Sequence, residues 1–354
     1  MPLAAVLRDL DRHWLKTLGS DRDQSSTNQD VMLDPMISRI AHLILAAALA
    51  LPAAAQTFPS KPVRIIVVYP PGGTSDAVVR LLADKLAAPL GQQVLVENKG
   101  GAGGAIGMDA MAKSPPDGHT IAFAAISPLT LLPHVGKVPY DPLRDIAPLA
   151  SVMYSPVYFL ATPAFSGQSF ADVVREARAK PGALRVGTSG IATLGHLMVE
   201  QLRIAGLDFT HVPYRGGGQV ITDAAGGQFE LFTTNPSPGA NALIQQGKLR
   251  ILAVAAPRRL PALPNVPTMS ELGYPDSNYT SHFGFYAPAK TPEAAMKRLH
   301  AEINAALALP DVAERLTRLD NVVATGTVAE FAQVIRREYE ANAKVVAKAG
   351  IRSE

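Results

Sequence analysis

Two glycines, two hydroxyl residues and an acid succeed one another in Gly72-Gly73-Thr74-Ser75-Asp76, directly after Tyr69-Pro70-Pro71. The chemistry that such a run can do is anion binding. Glycine lets the backbone turn tightly and brings bare N–H groups close to a ligand. At a helix start those amides are unpaired and carry the positive end of the helix dipole. Thr74 and Ser75 can cap the helix, and Asp76 suits its positive end. The same residues also suit an ordinary capped strand-to-helix turn without a ligand, and both readings stand at this point. No Lys follows the glycines, so the phosphate-loop pattern G-x-x-x-x-G-K-[ST] is absent. A second run, Thr188-Ser189-Gly190-Ile191-Ala192-Thr193-Leu194-Gly195-His196, repeats the order of strand, glycine turn, hydroxyl cap and helix. Two such helix starts could face each other across a cleft.

Catalytic chemistries fare worse. Ser189 lies seven residues before His196, but a nucleophile elbow needs G-x-S-x-G, and Gly187-Thr188-Ser189-Gly190-Ile191 breaks it at the last position. Ser189 reads better as a turn or ligand hydroxyl and His196 as a helix-start residue bonding locally. His119, His134, His196, His211, His282 and His300 are scattered without H-E-x-x-H or an i, i+4 pair, so no metal site is expected. Asp109 and Asp117 fall on a helix and in a turn and make no acid–base pair. Lys99 to Gly107 imitates a dinucleotide fingerprint, but the third glycine would fall on Ile106 and the loop follows the second strand of its unit. Backbone packing is its better role, with a cleft lip as the second. Cysteine is absent, which removes disulfides, thiolate metal sites and cysteine nucleophiles. The expectation is no catalysis and no cofactor.

The elements that must position these runs alternate. Pro62 to Val68 is a β-branched strand suited to burial on both faces. Val78, Val79, Leu82, Leu86 and Leu90 form the stripe of a helix packed on a sheet. Strands follow at 93–97 and 119–125, then at 157–161 after the Pro-rich stretch 133–148. A second series runs through a helix at 169–179 capped by Ser169, strands at 184–187, 210–213, 229–233 and 249–255, and helices after 193, near 219–225 and at 239–246. Phe283 to Ala287 reads as an extended return. Three helices, near 292–308, 311–319 and 328–348, close the chain. Strands alternating with helices call for α/β lobes with mainly parallel sheets.

The chain has 354 residues, of which 47% are apolar, enough for two α/β lobes. Met36 to Ala55 carries a short basic start, an apolar run from Ile40 to Leu51 and the small-residue site Ala53-Ala54-Ala55, the pattern of a secretory signal removed before Gln56. Residues 1–35 then precede a segment that should begin the protein, and they read as a spurious or disordered extension. Without residues 1–55 the chain keeps 28 Lys+Arg against 24 Asp+Glu. That modest excess, with no basic block interleaved with aromatics, argues against nucleic-acid binding.

The segments FPSKPVRIIVVYPPGGTSDAVVRLLADKL, GQQVLVENKGGAGGAIGMDAMAKSPPDGHT, the His196 loop, HVPYRGG, GGQFELF, GKLRILAVAAPRRLPALPNVPTMSELG and FGFYAPAKTP occur in this order from Phe58 to Ile351. In this combination the chain resembles the Bug family of periplasmic solute-binding proteins, the extracytoplasmic components associated with tripartite tricarboxylate transporters. The resemblance implies the two-lobe type II periplasmic binding protein fold with a ligand cleft between lobes. Lobe 1 would hold 58–157 plus 283–354 and lobe 2 would hold 158–282, with closure on ligand. It implies a small carboxylate ligand held by backbone amides and ordered waters from two loops, here Gly72, Gly73, Thr74, Ser75 and Asp76, and Ser189, Gly190, Thr193 and His196. Asp76 is expected to fix its loop rather than touch the anion. Ser127 and Asn235 match cleft-lining positions. Many family members carry Asp-Asn where this chain has Thr234-Asn235, and Ala124 to Pro128 departs from the usual Ser/Thr-rich version. Three readings follow: a monomeric periplasmic receptor for membrane transporter subunits, a receptor presenting its ligand to a membrane sensor kinase, and a secreted enzyme acting on a carboxylate.

Overall fold

The structure, a computed structural model, describes residues 58–351. The signal segment expected at 36–55 and the extension at 1–35 lie outside the described residues. In chain order the elements are β1 (Val63–Val67), α1 (Thr74–Leu90), β2 (Val94–Asn98), α2 (Ala105–Ala112), β3 (Thr120–Ala125), α3 (Ser127–Thr130), α4 (Leu132–Val135) and β4 (Ile146–Ala161). There follow α5 (Phe170–Ala179), β5 (Arg185–Thr188), α6 (Leu194–Ile204), β6 (Thr210–Pro213), α7 (Gly217–Ala225), β7 (Leu231–Thr234), α8 (Pro238–Gln245) and β8 (Arg250–Ala255). The chain closes with β9 (Thr280–Pro288), α9 (Glu293–Leu307), α10 (Pro310–Thr317), β10 (Val322–Val323) and α11 (Val328–Ala349).

The fold is α/β, with the strands in the order β2-β1-β3-β9-β4-β7-β5-β6. β1 runs parallel to β2 and β3, and β5 parallel to β6 and β7. The antiparallel centre is made by β9 and β4. β4 pairs with β9 from Ile146 to Pro156, then hands over to β8 at Val157 and to β7 at Tyr158. One strand therefore serves two halves of a curled sheet, and Pro156 stands at the handover.

Each half is covered on both faces. Alternation along β1 sends Val63, Ile65 and Val67 to one face, against Leu82 and Leu86 of α1 and Leu299 and Ile303 of α9. Ile66 and Val68 point to the other face, against Met108, Phe331 and Ile335. In the second half Phe159, Val186 and Leu202 make one core and Leu160, Val220 and Phe232 the other. α1 forms because its stripe Val78, Val79, Leu82, Leu86 and Leu90 is buried; each aliphatic side chain so covered stabilises the fold by roughly 1.5–3 kcal/mol. Gly91 in the left-handed conformation, φ 63°, ends it.

Five sequence expectations change. The sheet, expected to be mainly parallel, is antiparallel through its centre, because the long strand β4 pairs antiparallel with β9, β7 and β8. Thr74 and Ser75 do not cap α1: Gly73 occupies the cap position without a side-chain bond, and the Thr74 hydroxyl donates instead to the Pro236 carbonyl at 2.7 Å. β4 begins at Ile146 rather than 157, because Pro148 and Pro156 lie in a strand whose ladder shifts register after Pro148 and ends its β9 pairing at Pro156. Two short helices, α3 just before the Pro-rich stretch and α4 at its start, each carry Pro in the first turn, where the missing N–H costs nothing. α7 starts at Gly217, two residues early. The glycines of the dinucleotide-like loop serve packing: a Cβ on Gly107 would fall 2.8 Å from Val68 Cα.

Candidate functional site

A cavity lies between the two halves of the sheet. Tyr69, Gly73, Thr74, Ser75, Ser127 and Phe283 line it from the first half, Ser189, Thr193, Leu194, Gly195, Gly217 and Asn235 from the second. Val157 on β4 and Ser281 at the start of β9 line it together with Thr233 and Thr234. The cavity volume is about 50 Å³, room for roughly four waters at the ~10–15 Å³ that each needs. No Asp, Glu, Lys, Arg or His lines it.

Backbone amides supply what side chains do not. In α1 the first intrahelical bond is Ala77 N to Gly73 O, so the N–H groups of Thr74 and Ser75 have no partner among the described residues. In α6, Leu197 N bonds Thr193 O and His196 N takes the Thr193 side chain at 3.3 Å, leaving Leu194 and Gly195 open. In α7, Val220 N bonds Gly216 O and Gly217 is left open. Three helix starts thus point unpaired N–H groups and the positive ends of their dipoles at one small space. Such an arrangement takes an anion whose charge no side chain needs to match.

Of the sequence-derived site residues, Gly73, Thr74, Ser75, Ser127, Ser189, Thr193 and Asn235 are brought together on the wall. Gly72, Asp76, Gly190 and His196 stand behind it and shape its loops. Burial alone would raise the Asp76 pKa, yet hydrogen bonds from Arg80, the Gly72 amide and Asn98, with the Arg80 charge, lower it. Its carboxylate accepts from Gly72 N at 3.1 Å and from Asn98 and Arg80 at 3.0 Å. Gly190, at φ 139°, donates to the Thr188 hydroxyl and accepts from Thr193 at 2.8 Å. His196 Nδ1 accepts from Ala192 N at 3.1 Å, and its ring stacks on His211 at 4.3 Å. Burial pushes both imidazoles down to about 4, so they are neutral at ordinary pH. Tyr69 is pushed up to about 12 by burial, against the hydrogen bonds from Ser127 and Ala125.

Sequence reasoning missed the third helix start, at Gly217. Its signal was available: Gly216-Gly217-Gly218 follows a strand, as Gly72-Gly73 does. Val157, Thr233, Ser281 and Phe283 carried no motif, because strand side chains reach the cavity only through the β4 handover.

The two halves touch closely around the cavity. Besides the Thr74 bond to Pro236, a Cβ on Gly216 would fall 2.4 Å from Pro70 Cδ, and one on Gly218 would fall 2.3 Å from Pro71 O. A Cβ on Gly103 would fall 2.6 Å from Ile191 O. Bare backbone from one half packs on bare backbone from the other.

Residues 78–351 match the model of the tripartite tricarboxylate transporter family receptor. Among solved structures, the periplasmic binding protein BugD is 29% identical with a TM-score of 0.80, over 84% of this chain and all of that one. MatC (Rpa3494) from Rhodopseudomonas palustris, solved with bound malate, is 29% identical with a TM-score of 0.77, over 82% of this chain and 100% of that one. Rpa4515 of R. palustris, solved with adipate, is 29% identical with a TM-score of 0.79, over 83% of this chain and 99% of that one.

Proposed function

Because the chain belongs to the tripartite tricarboxylate transporter receptor family, we propose that it is a periplasmic receptor that captures a small carboxylate and delivers it to a membrane transporter of that type. The observation that carries the reading is the convergence of open amides from α1, α6 and α7 on a cavity without charged side chains. One carboxylate seats on the amides near Gly73, Thr74 and Ser75 and near Leu194 and Gly195. Thr193, Ser189 and Ser127 shape the walls, while Gly72, Asp76, Gly190 and His196 hold the loops. Relatives solved with malate and adipate support the ligand class.

In this reading 58–157 plus 283–354 and 158–282 are two lobes that close on the ligand by bending at Pro156–Val157 and at Ser281, where the crossing strands change lobes. The protein is exported with cleavage before Gln56, acts without a cofactor and turns nothing over. Native mass spectrometry of the purified protein, followed by calorimetry with C4 to C6 carboxylic acids, tests the reading. A bound small acid, or saturable binding of one, is the expected result. Absence of binding by every acid, with folded protein, refutes it.

A further inference from the structure

Asn235 lies at the end of β7 and lines the cavity. Its Nδ2 donates to the Pro156 carbonyl at 2.8 Å and to Ser281 Oγ at 3.0 Å. A carbonyl only accepts, so the Pro156 bond fixes which end of the amide is nitrogen. Both N–H groups are thereby committed, one to each crossing strand. What Asn235 has left is Oδ1, and among the described residues no donor reaches it. Ser281, which is 4% exposed, accepts from Asn235, and its own O–H meets no acceptor among the described residues. The neighbouring hydroxyls differ: Thr234 Oγ1 is spent on the Asn235 carbonyl at 3.2 Å, while Thr233 Oγ1 is buried without a partner.

Asn235 and Ser281 therefore present the cavity with one open acceptor and, on the adjoining side chain, one open donor, beside the unpaired Thr233 hydroxyl. A carboxylate oxygen meets the donor and is repelled by the acceptor. A methylene meets neither and leaves both unmade. An ammonium meets the acceptor but has no lone pair for the Ser281 proton, whose bond is left unmade. A hydroxyl, which donates and accepts at once, meets both. Resting on the carboxylate reading above, we infer that Asn235 and Ser281 select a hydroxy-carboxylate, with the carboxylate on the helix starts and the hydroxyl on this pair. Because the Asn235 nitrogen ties Pro156 to Ser281, the acceptor is held in place by the two strands that carry the hinge.

The test is calorimetry on the intact protein with matched acids that differ only by the hydroxyl: malate against succinate, 2-hydroxyglutarate against glutarate, lactate against propionate. In whichever pair binds, the hydroxy acid is expected to bind at least tenfold tighter, the size of one buried hydrogen-bonding group left unmade. Aspartate is expected to bind more weakly than malate. Ser281→Ala and Asn235→Ala should each pull the ratio of hydroxy to deoxy affinity toward one. Equal affinities within each binding pair overturn the inference while leaving the carboxylate reading intact, and so does a ratio that survives both substitutions. If no acid of any pair binds, the inference falls, and the carboxylate reading falls with it when the remaining C4 to C6 acids fail as well. Should a variant not fold, the wild-type ratio alone decides.

Discussion

On the proposed closure, in which the Gly218–Pro71 contact forms only when the lobes shut on ligand, Gly218→Ala separates binding from stability, because the two should move in opposite directions. Gly218 is in the first turn of α7 at a backbone geometry open to any residue, so alanine there fits the helix and stabilises it by up to about 1 kcal/mol. Across the cleft, however, its Cβ would stand 2.3 Å from Pro71 O, where ordinary contact begins at 3.4 Å. Closure would have to stop about 1 Å short. A hydrogen bond stretched by that much is lost, and each charge-assisted bond contributes roughly 1.5–3 kcal/mol. Losing one such bond between the carboxylate and one set of helix starts weakens binding by about ten- to 150-fold. Calorimetry with the acid that binds wild-type protein measures the first effect, and urea unfolding without ligand measures the second. Wild-type affinity in the variant, or a clear loss of stability without ligand, would refute the closed contact between the Pro70-Pro71 and Gly216–Gly218 loops.

Gly73→Val is expected to weaken carboxylate binding, though less than Gly218→Ala, since the first added carbon already has ordinary room, 3.6 Å from Gly218 N; calorimetry compares the two. Stability should fall on acidification between pH 6.5 and 4: His196, His211 and His282 have folded pKa values of about 4, below ~6.5 unfolded, so the unfolded chain binds more protons there. Each withdraws about 2 kcal/mol by pH 5 relative to pH 8, opposed in part by Asp320 and Glu338, whose pKa values burial raises; urea midpoints that stay level across that range would contradict the neutral buried imidazoles. Leu82, fully buried on α1, should cost about 2–5 kcal/mol as Leu82→Ala in the same unfolding assay. N-terminal sequencing of exported protein is expected to begin at Gln56, and a start near Met1 would remove the signal reading.

Much of this fold was legible because its strands and stripes are chemically pure. The run 62–68 has no polar interruption except Arg64, and the α1 stripe keeps its spacing over four turns. What escaped was written in backbone rather than in side chains. Pro148 and Pro156 read as breakers, yet they sit where β4 slips register and changes partners, so the strand that joins both halves looked like a loop for its first eleven residues. The site divides in the same way. Glycine and hydroxyl runs marked two helix starts and, less openly, a third, while Val157, Ser281 and Phe283 enter the cavity only because β4 changes partners beside the start of β9. Asn235 was visible as a cleft residue, but its committed nitrogen could be seen only with Pro156 and Ser281 in place.

The way the two halves draw their cores from the chain also dictates an order of assembly. The second half draws its cores from residues contiguous in sequence, such as Phe159, Val186, Leu202 and Leu252, and can gather them as soon as they are all present. The first half is stitched from both ends of the chain: Ile66 and Val68 share their core with Phe331, Ile335 and Val346. Its earliest strand must wait, apolar on both faces, for the last helix to arrive, and such distant pairings form slowly. A truncation that removes only α11 would thus injure the part of the molecule that is made first.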